Sequence, residues 1–443
     1  MRPGTRCTVV LLLTLLAAPL HAQSGGSNLR STFLNLFTFG DCGQPLCLSV
    51  DAGRHEKHFI PSVVQGAGDL LGFLTNAVGT SLNDVPMAAA SGGTTFMFAN
   101  GTPVATSTSA GPIFGERAPT LGRGRWFVGA NVTGASYKSI RGLPLNDLNL
   151  TFTHQNVADS ALGNPSIEND LLNVNTAVNI NMLVGSVTLA YGLLDRVDLA
   201  VDVPFVRASV SGHSTATIVT SGTGIDSVEH FFGTATDKQL STTTSSSGSA
   251  SGVGDVVARI KVNAVQTEKV GLSLLAGARF ATGNRDQFLG TGATDVIGMG
   301  ILSGRAGSFS PHLNLGYLHR GADFENSAVL ATAGFDNLIG RRTTLALDLI
   351  TSWQVGASRL VLPQPVTFTA PITRTVRLTD IPAMRDNLID AAVGAKIAAS
   401  DKLNFVVSSL LPVNRAGVRA DAVWTVGAEY NFYPHRAAVV SAP

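Results

Sequence analysis

Four residues near the start of the chain have side chains that could bind a metal ion. Cys42 and Cys47 stand in GDCGQPLCL, and His55 and His58 complete the set within seventeen residues. Thiolates and imidazoles are zinc ligands, but this spacing matches no standard zinc finger. In an exported protein a close pair of cysteines is most simply a disulfide that closes a small loop. We therefore predict a Cys42–Cys47 disulfide and no metal site, with zinc as the alternative.

Hydrolytic chemistry has one candidate, His312, which stands near Asn314 in SPHLNLGYLH. A histidine and a carboxamide could join a serine from another strand. The chain has no G-x-S-x-G, G-x-x-x-x-G-K or H-E-x-x-H motif and no EF-hand loop. The glycine-rich ATGNRDQFLGTGATD carries Asp286 and Asp295, which could bind a cation, although a solvated loop is the simpler interpretation. We predict no enzyme activity and no cofactor.

Charged residues at alternate positions of predicted strands form the main functional group. If their apolar neighbours meet lipid, these side chains face a wet interior, where they could pair across strands or form a channel wall that sets selectivity. Their mixed signs predict no strong ion preference. The lumen-facing candidates are Asp198, Asp202, Asp255, Arg259, Lys261, Arg279, Asp348, Asp386, Asp390, Lys396 and Glu429.

The elements that position these charges are amphipathic strands. In DVVARIKVNA, apolar Ile260 and Val262 alternate with Arg259 and Lys261, and NVNTAVNINM, RVDLAVDVPF and DNLIDAAVGAKI alternate in the same way. A break of phase at Gly185–Ser186 predicts a bulge. Roughly twelve such segments follow Arg125, at about 125–138, 173–192, 196–210, 254–265, 270–282, 294–303, 309–319, 329–336, 342–354, 386–398, 402–411 and 421–432.

The connections between these segments alternate between short and long. One end of the strand set therefore carries tight turns and the other carries large loops, as in bacterial outer-membrane barrels. Many segments exceed the length typical of soluble sandwiches and are long enough to cross a bilayer when tilted. The fold class predicted is all-β, a transmembrane antiparallel β-barrel of about 12 strands. VTFTAPITRTVRL could add a hairpin and raise the number to 14.

Composition and the N-terminus agree with export to the outer membrane. Only 14% of residues are charged, against roughly 25% in soluble domains, and the near-neutral chain gives no electrostatic reason to bind nucleic acid. Residues 1–22 have the basic start, apolar core and small residues of a signal peptide cleaved near Ala22.

Residues 23–115 differ from the barrel, which is predicted over 116–432. Val64, Ala67, Leu71, Leu74 and Val78 have helical spacing, and a hairpin is predicted in TTFMFANGTPVATST with Asn100–Gly101 as its turn. This segment is either a periplasmic lead-in or a plug in the lumen.

The predicted last strand is ADAVWTVGAEYNF. We expect Trp424, Val426, Ala428, Tyr430 and Phe432 to face lipid and Asp421, Thr425 and Glu429 to face the lumen. Residues 433–443 are expected to form a loose periplasmic tail.

Several motifs resemble one bacterial family. YGLLDRVDLAVDVPF, SGVGDVVARIKVNAV, FATGNRDQFLGTGATD, SPHLNLGYLH and VGAEYNF look like the outer-membrane proteins grouped as the meta-pathway of phenol degradation transporters, which are similar to the long-chain fatty acid transporter barrels. The resemblance covers most of residues 112–432, with Phe280-Ala281-Thr282-Gly283 where the family usually has Leu-Pro-Thr-Gly.

This resemblance implies passive uptake of small hydrophobic or aromatic molecules, with an N-terminal segment in the lumen. Fold and family do not fix function, so a structural or interaction barrel that uses its long outer loops, and an outer-membrane hydrolase, stay as alternatives. Outer-membrane lipids, hydrophobic solutes and the barrel assembly machinery are the expected partners.

Overall fold

A computed structural model describes residues 28–39, 46, 67–83, 96–99, 102–105, 113–153, 170–220, 230–234, 236–369 and 373–432. The predicted signal peptide, the Cys42–Cys47 disulfide, His55, His58 and the tail 433–443 lie outside these residues.

Twelve antiparallel strands form a closed barrel. Each strand pairs with the next along the chain, and the last strand pairs with the first from Val418↔Ile140 to Phe432↔Trp126. The strands are β1 (Trp126–Ile140), β2 (Leu171–Leu194), β3 (Val197–Val219), β4 (Val257–Gln266), β5 (Val270–Arg279), β6 (Asp295–Gly304), β7 (Phe309–His319), β8 (Ala328–Ile339), β9 (Thr343–Gln354), β10 (Leu388–Ala398), β11 (Leu403–Pro412) and β12 (Val418–Phe432).

The prediction of twelve barrel strands is confirmed, and the alternative of fourteen is wrong. VTFTAPITRTVRL does form a hairpin, Val366–Phe368 with Arg374–Val376, but that hairpin is a separate two-stranded sheet outside the barrel. The connections 195–196, 267–269, 305–308, 340–342 and 399–402 are tight and share one end of the barrel, the short-turn end. The opposite, long-loop end carries the large connections, although 413–417 is as short as a turn.

In contrast to a soluble protein, the barrel strands expose their apolar side chains and bury their polar ones. Leu274 and Trp424 are each 61% exposed, whereas Asp202 and Lys396 are each 1% exposed. Exposed leucines, valines and aromatic residues occur along nearly every strand, and the buried partners at alternate positions are Asp, Asn, Ser, Thr and Lys. This distribution fits a barrel whose outer surface meets lipid and whose interior is polar.

The first long strand pair reverses this polarity partway along its length. The register of β2 with β3 continues without interruption from Leu171↔Val219 to Gly192↔Asp198, so the bulge predicted at Gly185–Ser186 is wrong. The outward residues of β2 are apolar at Leu183 and Leu189 but are asparagines at 173, 175, 179 and 181. The inward residues there are buried and, except for Thr176, apolar, as at Val174 and Val178.

The same reversal occurs in β3, between outward Phe205 and outward Arg207, which pairs with Leu183. The exposed apolar residues form a belt around the barrel, here called the apolar band. Both strands leave the apolar band at the same height and continue beyond it, where their outer face is polar and their inner face packs against an apolar interior. The apparent break of phase in the sequence marks this boundary. The predicted segments 196–210 and 254–265 implied a loop over 211–253. The loop is shorter, because β3 extends to Val219 and a further strand, Ser241–Val253, pairs with β3.

Strand β12 follows the prediction except at Asp421. Trp424, Val426 and Phe432 are exposed, while Thr425 and Glu429 are buried. Asp421 is exposed as well, because the pairing with β1 shifts between Ala420 and Val423 and this bulge changes which positions point inward.

Two helices pack at the long-loop end. Helix α1 (Leu29–Asn35) is capped by Asn28 and packs against β3 and the strand Ser241–Val253. Helix α2 (Ala67–Asn83) confirms the predicted helical spacing from Ala67 onward, and Val64 lies outside the described residues. The buried Leu71, Leu74 and Val78 of α2 join α1 and the extended parts of β2 and β3 in one apolar cluster. The predicted hairpin is also present, as Phe96–Ala99 paired with Thr102–Ala105. No helix of the described residues is long and apolar enough to span a membrane.

Candidate functional site: a segment held inside the barrel

Residues 113–125, here called the lumen segment, run through the barrel interior and lead directly into β1. Their contacts reach each of the seven consecutive strands β3–β9, near the short-turn end. Ile113 packs against Ala346 on β9 and against Val406 on a further wall strand, β11. The lumen segment forms no strand pairing inside the barrel, so side chains of the wall hold it in place.

Backbone groups at the start of the lumen segment bind β7 and β9. The Gly115 amide donates to Asp348 Oδ2 at 3.3 Å, and Asp348 Oδ1 lies 2.7 Å from His312 Nε2. Asn314 accepts from the Glu116 amide at 2.8 Å and donates to the Glu116 carbonyl at 2.9 Å. The Asn314 carboxamide thus replaces the backbone partner that a neighbouring strand would provide.

The side chains of Glu116 and Arg117 bind opposite charges on the wall. Glu116 Oε1 lies 3.2 Å from Arg259 Nη1, and Glu116 Oε2 lies 3.6 Å from Lys261 Nζ. The Arg117 guanidinium donates both Nε and Nη2 to Asp336, with Nε 3.0 Å from Oδ1. All of these groups are buried or nearly so, and a buried charge is tolerated only when it is paired.

The rest of the lumen segment binds mainly through its backbone, and the Thr120 hydroxyl adds one side-chain bond, to the Asp195 carbonyl at 2.7 Å. The Ala118 carbonyl accepts from Asn263 at 3.0 Å and also from the Ser273 hydroxyl, and the Ala118 amide donates to Ser303 Oγ at 2.9 Å. The Leu121 amide donates to Asp198 Oδ2 at 2.9 Å.

At the short-turn end the lumen segment reaches the wall at Gly192. The Gly124 amide donates to the Gly192 carbonyl at 2.8 Å. A Cβ atom added to Gly192 would lie 1.9 Å from the Gly122 carbonyl oxygen. Only glycine at position 192 therefore allows the two backbones to approach this closely.

The eleven predicted lumen candidates occupy three kinds of position. Asp198, Lys261 and Asp348 contact the lumen segment, as does Arg259, which also binds Asp202 at 2.6 Å. A second group forms ion pairs on the wall, Lys396 with Glu429 at 2.7 Å and Asp390 with Arg419 at 2.9 Å. The third group lies at the long-loop end: Asp255 accepts from the Gly283 and Thr291 amides of a connection, Arg279 pairs with Asp295 where β5 and β6 meet that end, and Asp386 pairs with Arg141.

Sequence reasoning missed several residues that hold the lumen segment. Glu116 and Arg117 lie just before the first predicted strand, and their adjacent opposite charges in a charge-poor chain were the available signal. Asp336 ended a predicted strand and was not selected. Asn263, Ser273, Ser303 and Asn314 are uncharged, so a search for charges alone could not find them.

The candidate hydrolytic and cation-binding residues have structural partners. His312 Nε2 binds Asp348, Asn314 binds the Glu116 backbone, and no hydroxyl group of the described residues is hydrogen-bonded to His312. Asp295 pairs with Arg279 and accepts from the Gly321 amide, and no group of three potential metal ligands occurs in the part of the chain that the structure describes. This geometry provides no nucleophile for the histidine.

A cavity of about 640 Å³ lies in the long connection 355–387. Its walls combine apolar residues, such as Leu360 and Ile381, with the charged residues Arg377, Asp380 and Arg385. Arg141 closes its base, where it donates to the Leu360 and Pro382 carbonyls and its guanidinium lies 4.8 Å from the Phe73 ring centre in α2. The volume is within the range of roughly 300–1,000 Å³ that small-molecule sites occupy.

No family model matches the chain, and no curated protein matches it. Solved structures that are similar include an outer membrane channel from Pseudomonas putida F1, at 14% identity and a TM-score of 0.40, with 71% of this chain and 98% of that chain covered. A mutant of the TodX monoaromatic hydrocarbon channel has 9% identity, a TM-score of 0.32 and coverage of 71% and 91%. A FadL homologue from Pseudomonas aeruginosa has 8% identity, a TM-score of 0.31 and coverage of 70% and 90%.

The first of these neighbours is an outer membrane channel, the second a hydrocarbon channel and the third a FadL homologue. At identities and TM-scores this low, the likenesses carry no inference about function. Membership in the phenol-degradation group stays a prediction.

Proposed function

We propose that this protein is a bacterial outer-membrane channel for the passive uptake of small hydrophobic or aromatic molecules. The observation that carries the proposal is the lumen segment, which lies across the interior but has no strand pairing to the wall. A segment bound through side chains can move without breaking the barrel, since the closed ladder of twelve strands does not include it.

The exposed apolar band supports a membrane location, because leucine, valine and tryptophan side chains this exposed are costly in water. Strand pairs with tight turns at one end and large connections at the other support the outer membrane, with the short-turn end in the periplasm. In this orientation both barrel termini, Trp126 and Phe432, are periplasmic. Lipids then surround the band, and the barrel assembly machinery inserts the chain.

The cavity in 355–387 offers a first binding position for a small solute at the external mouth in this orientation. Its leucine, isoleucine and proline residues provide apolar contacts, and Arg377, Asp380 and Arg385 provide polar ones. The solute then passes the apolar cluster around α1 and α2 before it reaches the lumen segment. Displacement of the lumen segment is the step that opens the path.

Planar-bilayer recordings test the proposal. The full-length protein should show rare or small conductance steps, and deletion of residues 23–122 should produce large, long-lived ones. Liposomes with the full-length protein should take up toluene faster than protein-free liposomes and should not take up a trisaccharide faster. A silent barrel after the deletion, together with no solute uptake, would contradict the channel.

A further inference from the structure

The short-turn end of the barrel concentrates charge. It consists of the five tight turns and the last residues of the lumen segment, all within the described part of the chain. Eleven of these twenty residues are charged, against 14% in the whole chain. Eight are basic and three are acidic, which gives this end a formal charge of +5 in a protein whose total is +1. The stretches, here called the basic collar, are 122–125, 195–196, 267–269, 305–308, 340–342 and 399–402.

Hydrogen bonds between neighbouring turns and strands join the basic collar into a ring. The Arg305 amide donates to the Lys269 carbonyl at 2.9 Å, so the β4–β5 turn lies beside the β6–β7 turn. The Asn431 amide donates to the Lys402 carbonyl at 2.9 Å, which places the β10–β11 turn beside the end of β12. Each of the five tight turns accepts one bond of this kind from the neighbouring part of the sheet. The collar cations therefore have fixed positions around the whole rim.

The cations of the basic collar can meet an external anion. Arg123, Arg196, Lys269, Arg341 and Arg342 are exposed, and no ion pair joins any of the five to another described residue. After Phe432 the chain reads YPHRAAVVSAP, which contains no acidic residue that could neutralise the ring. The excess of positive charge is therefore directed to the surroundings of the barrel.

The basic collar lies at the edge of the apolar band. Leu194, Val270 and Ile339 each adjoin a collar turn and expose 46–50% of their surface. Trp126 follows the last collar residue of the lumen segment, and its ring centre lies 4.4 Å from that of Tyr191. Tryptophan and tyrosine favour the boundary between lipid tails and headgroups. The collar cations are therefore at the level of the headgroups.

We propose that the basic collar binds the phosphate groups of anionic phospholipids in the leaflet that faces the periplasm. Anionic headgroups attract clusters of lysine and arginine beside a membrane, and a guanidinium group donates two parallel hydrogen bonds to phosphate. The adjoining apolar and aromatic residues favour an anion that carries lipid tails over a soluble one. This inference rests on the membrane orientation of the proposed function but does not need a conducting pore.

Tryptophan fluorescence tests the proposal at the collar itself. The chain has three tryptophans: Trp126 beside the collar, Trp424 within the apolar band and Trp353 near the long-loop end of β9. The variant Trp353→Phe/Trp424→Phe keeps only Trp126, and the matched control Trp126→Phe/Trp424→Phe keeps only Trp353. Both full-length variants are placed in phosphatidylcholine vesicles that contain equal fractions of brominated phosphatidylglycerol or brominated phosphatidylcholine, because bromine quenches nearby tryptophan.

The expected result is a preference for the anionic lipid at the collar alone. Brominated phosphatidylglycerol should quench Trp126 roughly twofold more strongly than brominated phosphatidylcholine does, because it is enriched beside the cations. The two lipids should quench Trp353 equally. High salt should reduce the preference at Trp126, since it screens exposed charges.

Removal of the nearest cations should abolish the preference. Arg123→Gln/Arg196→Gln/Lys402→Gln, in the protein with Trp126 alone, replaces collar cations on the strands around β1. The matched control is Arg285→Gln/Arg374→Gln/Arg415→Gln, which removes three exposed cations at the long-loop end and should leave the preference unchanged. Equal quenching of Trp126 by the two brominated lipids, or an equal preference at Trp353, would overturn the proposal.

A second measurement leaves the tryptophans intact, because their replacement could disturb the barrel. In native mass spectrometry of the full-length protein with an equal mixture of the two lipids in detergent, phosphatidylglycerol adducts should predominate severalfold. The collar triple variant should lose this preference and the long-loop triple variant should keep it. Retention of the preference by the collar variant, or its absence from the unmodified protein, would also overturn the proposal, whereas a silent barrel in planar bilayers would contradict only the channel.

Discussion

Glu116 and Arg259 form an ion pair of 3.2 Å between the lumen segment and the barrel wall. The same guanidinium lies 2.6 Å from Asp202 on the neighbouring strand, so one arginine neutralises a carboxylate of the wall and a carboxylate of the lumen segment. Loss of the lumen segment would leave Arg259 with Asp202 as its partner. Arg259 therefore has a carboxylate partner both when the lumen segment is bound and when it is displaced.

The double variant Glu116→Gln/Arg117→Gln should open the channel more often. It removes the ion pairs to Arg259, Lys261 and Asp336 while the backbone contacts remain, so we expect a several-fold rise in open probability in planar bilayers. The matched control is Arg123→Gln/Glu268→Gln, which makes the same charge changes at two exposed side chains near the short-turn end. Similar conductance of both double variants would argue against an ionic role in closure.

Gly192→Ala should displace the lower part of the lumen segment. Its Cβ would overlap the Gly122 carbonyl oxygen, a backbone atom that cannot rotate away, and overpacking of this kind costs about 1–3 kcal/mol. Trypsin should then cleave after Arg123 or Arg125 faster than in the unmodified protein. Gly185→Ala is the control in the same strand, because no atom lies within 4 Å of its added Cβ. Equal cleavage of the two variants would contradict the close approach.

Leu189→Arg and Asn179→Arg should show where the apolar band ends along β2. Both positions point outward on β2, but only Leu189 lies in the apolar run. Arginine near the bilayer midplane should lower the free energy of unfolding from lipid vesicles by about 2–4 kcal/mol, against roughly 0–1 kcal/mol at or beyond the interface. Guanidinium titration of both variants measures the difference. Equal destabilisation would place the boundary elsewhere.

The pair Lys396–Glu429 should show the cost of an unpaired charge inside the wall. Lys396 is 1% exposed and Glu429 is 4% exposed, so Glu429→Gln leaves a buried ammonium and should lower the free energy of unfolding by about 3–5 kcal/mol. Lys396→Met/Glu429→Leu removes both charges and should be nearly neutral. The temperature at which the folded band is lost on gels compares the three proteins. A double variant as unstable as the single one would show that the pair itself stabilises the barrel.

Strand number and strand faces were predictable because each strand carries its own signal. Apolar and polar residues alternate at every second position, and lipid outside with a polar interior requires that pattern in each strand separately. The misassigned stretch, Val174–Met182, shows the limit of that reasoning. Its alternation is regular, but the side that meets water is reversed above the band, and a local pattern does not record which solvent each face meets.

The lumen segment could not be predicted in the same way. Its partners come from strands that are far apart in sequence, such as Arg117 with Asp336, and most of its polar contacts use backbone groups that every residue has. Sequence periodicity identified Lys261, Asp198 and Asp348 as inward residues but gave no reason to connect them with 113–125.

The sequence by itself determined a twelve-stranded barrel with two ends of different character, because alternation and turn length are local properties. Only the tertiary structure decided that Glu116 and Arg117 lie within the barrel, that Asp421 points outward and that Ser241–Val253 pairs with the extended part of β3. These three features depend on contacts between parts of the chain that are distant in sequence, and those contacts exist only once the sheet has formed.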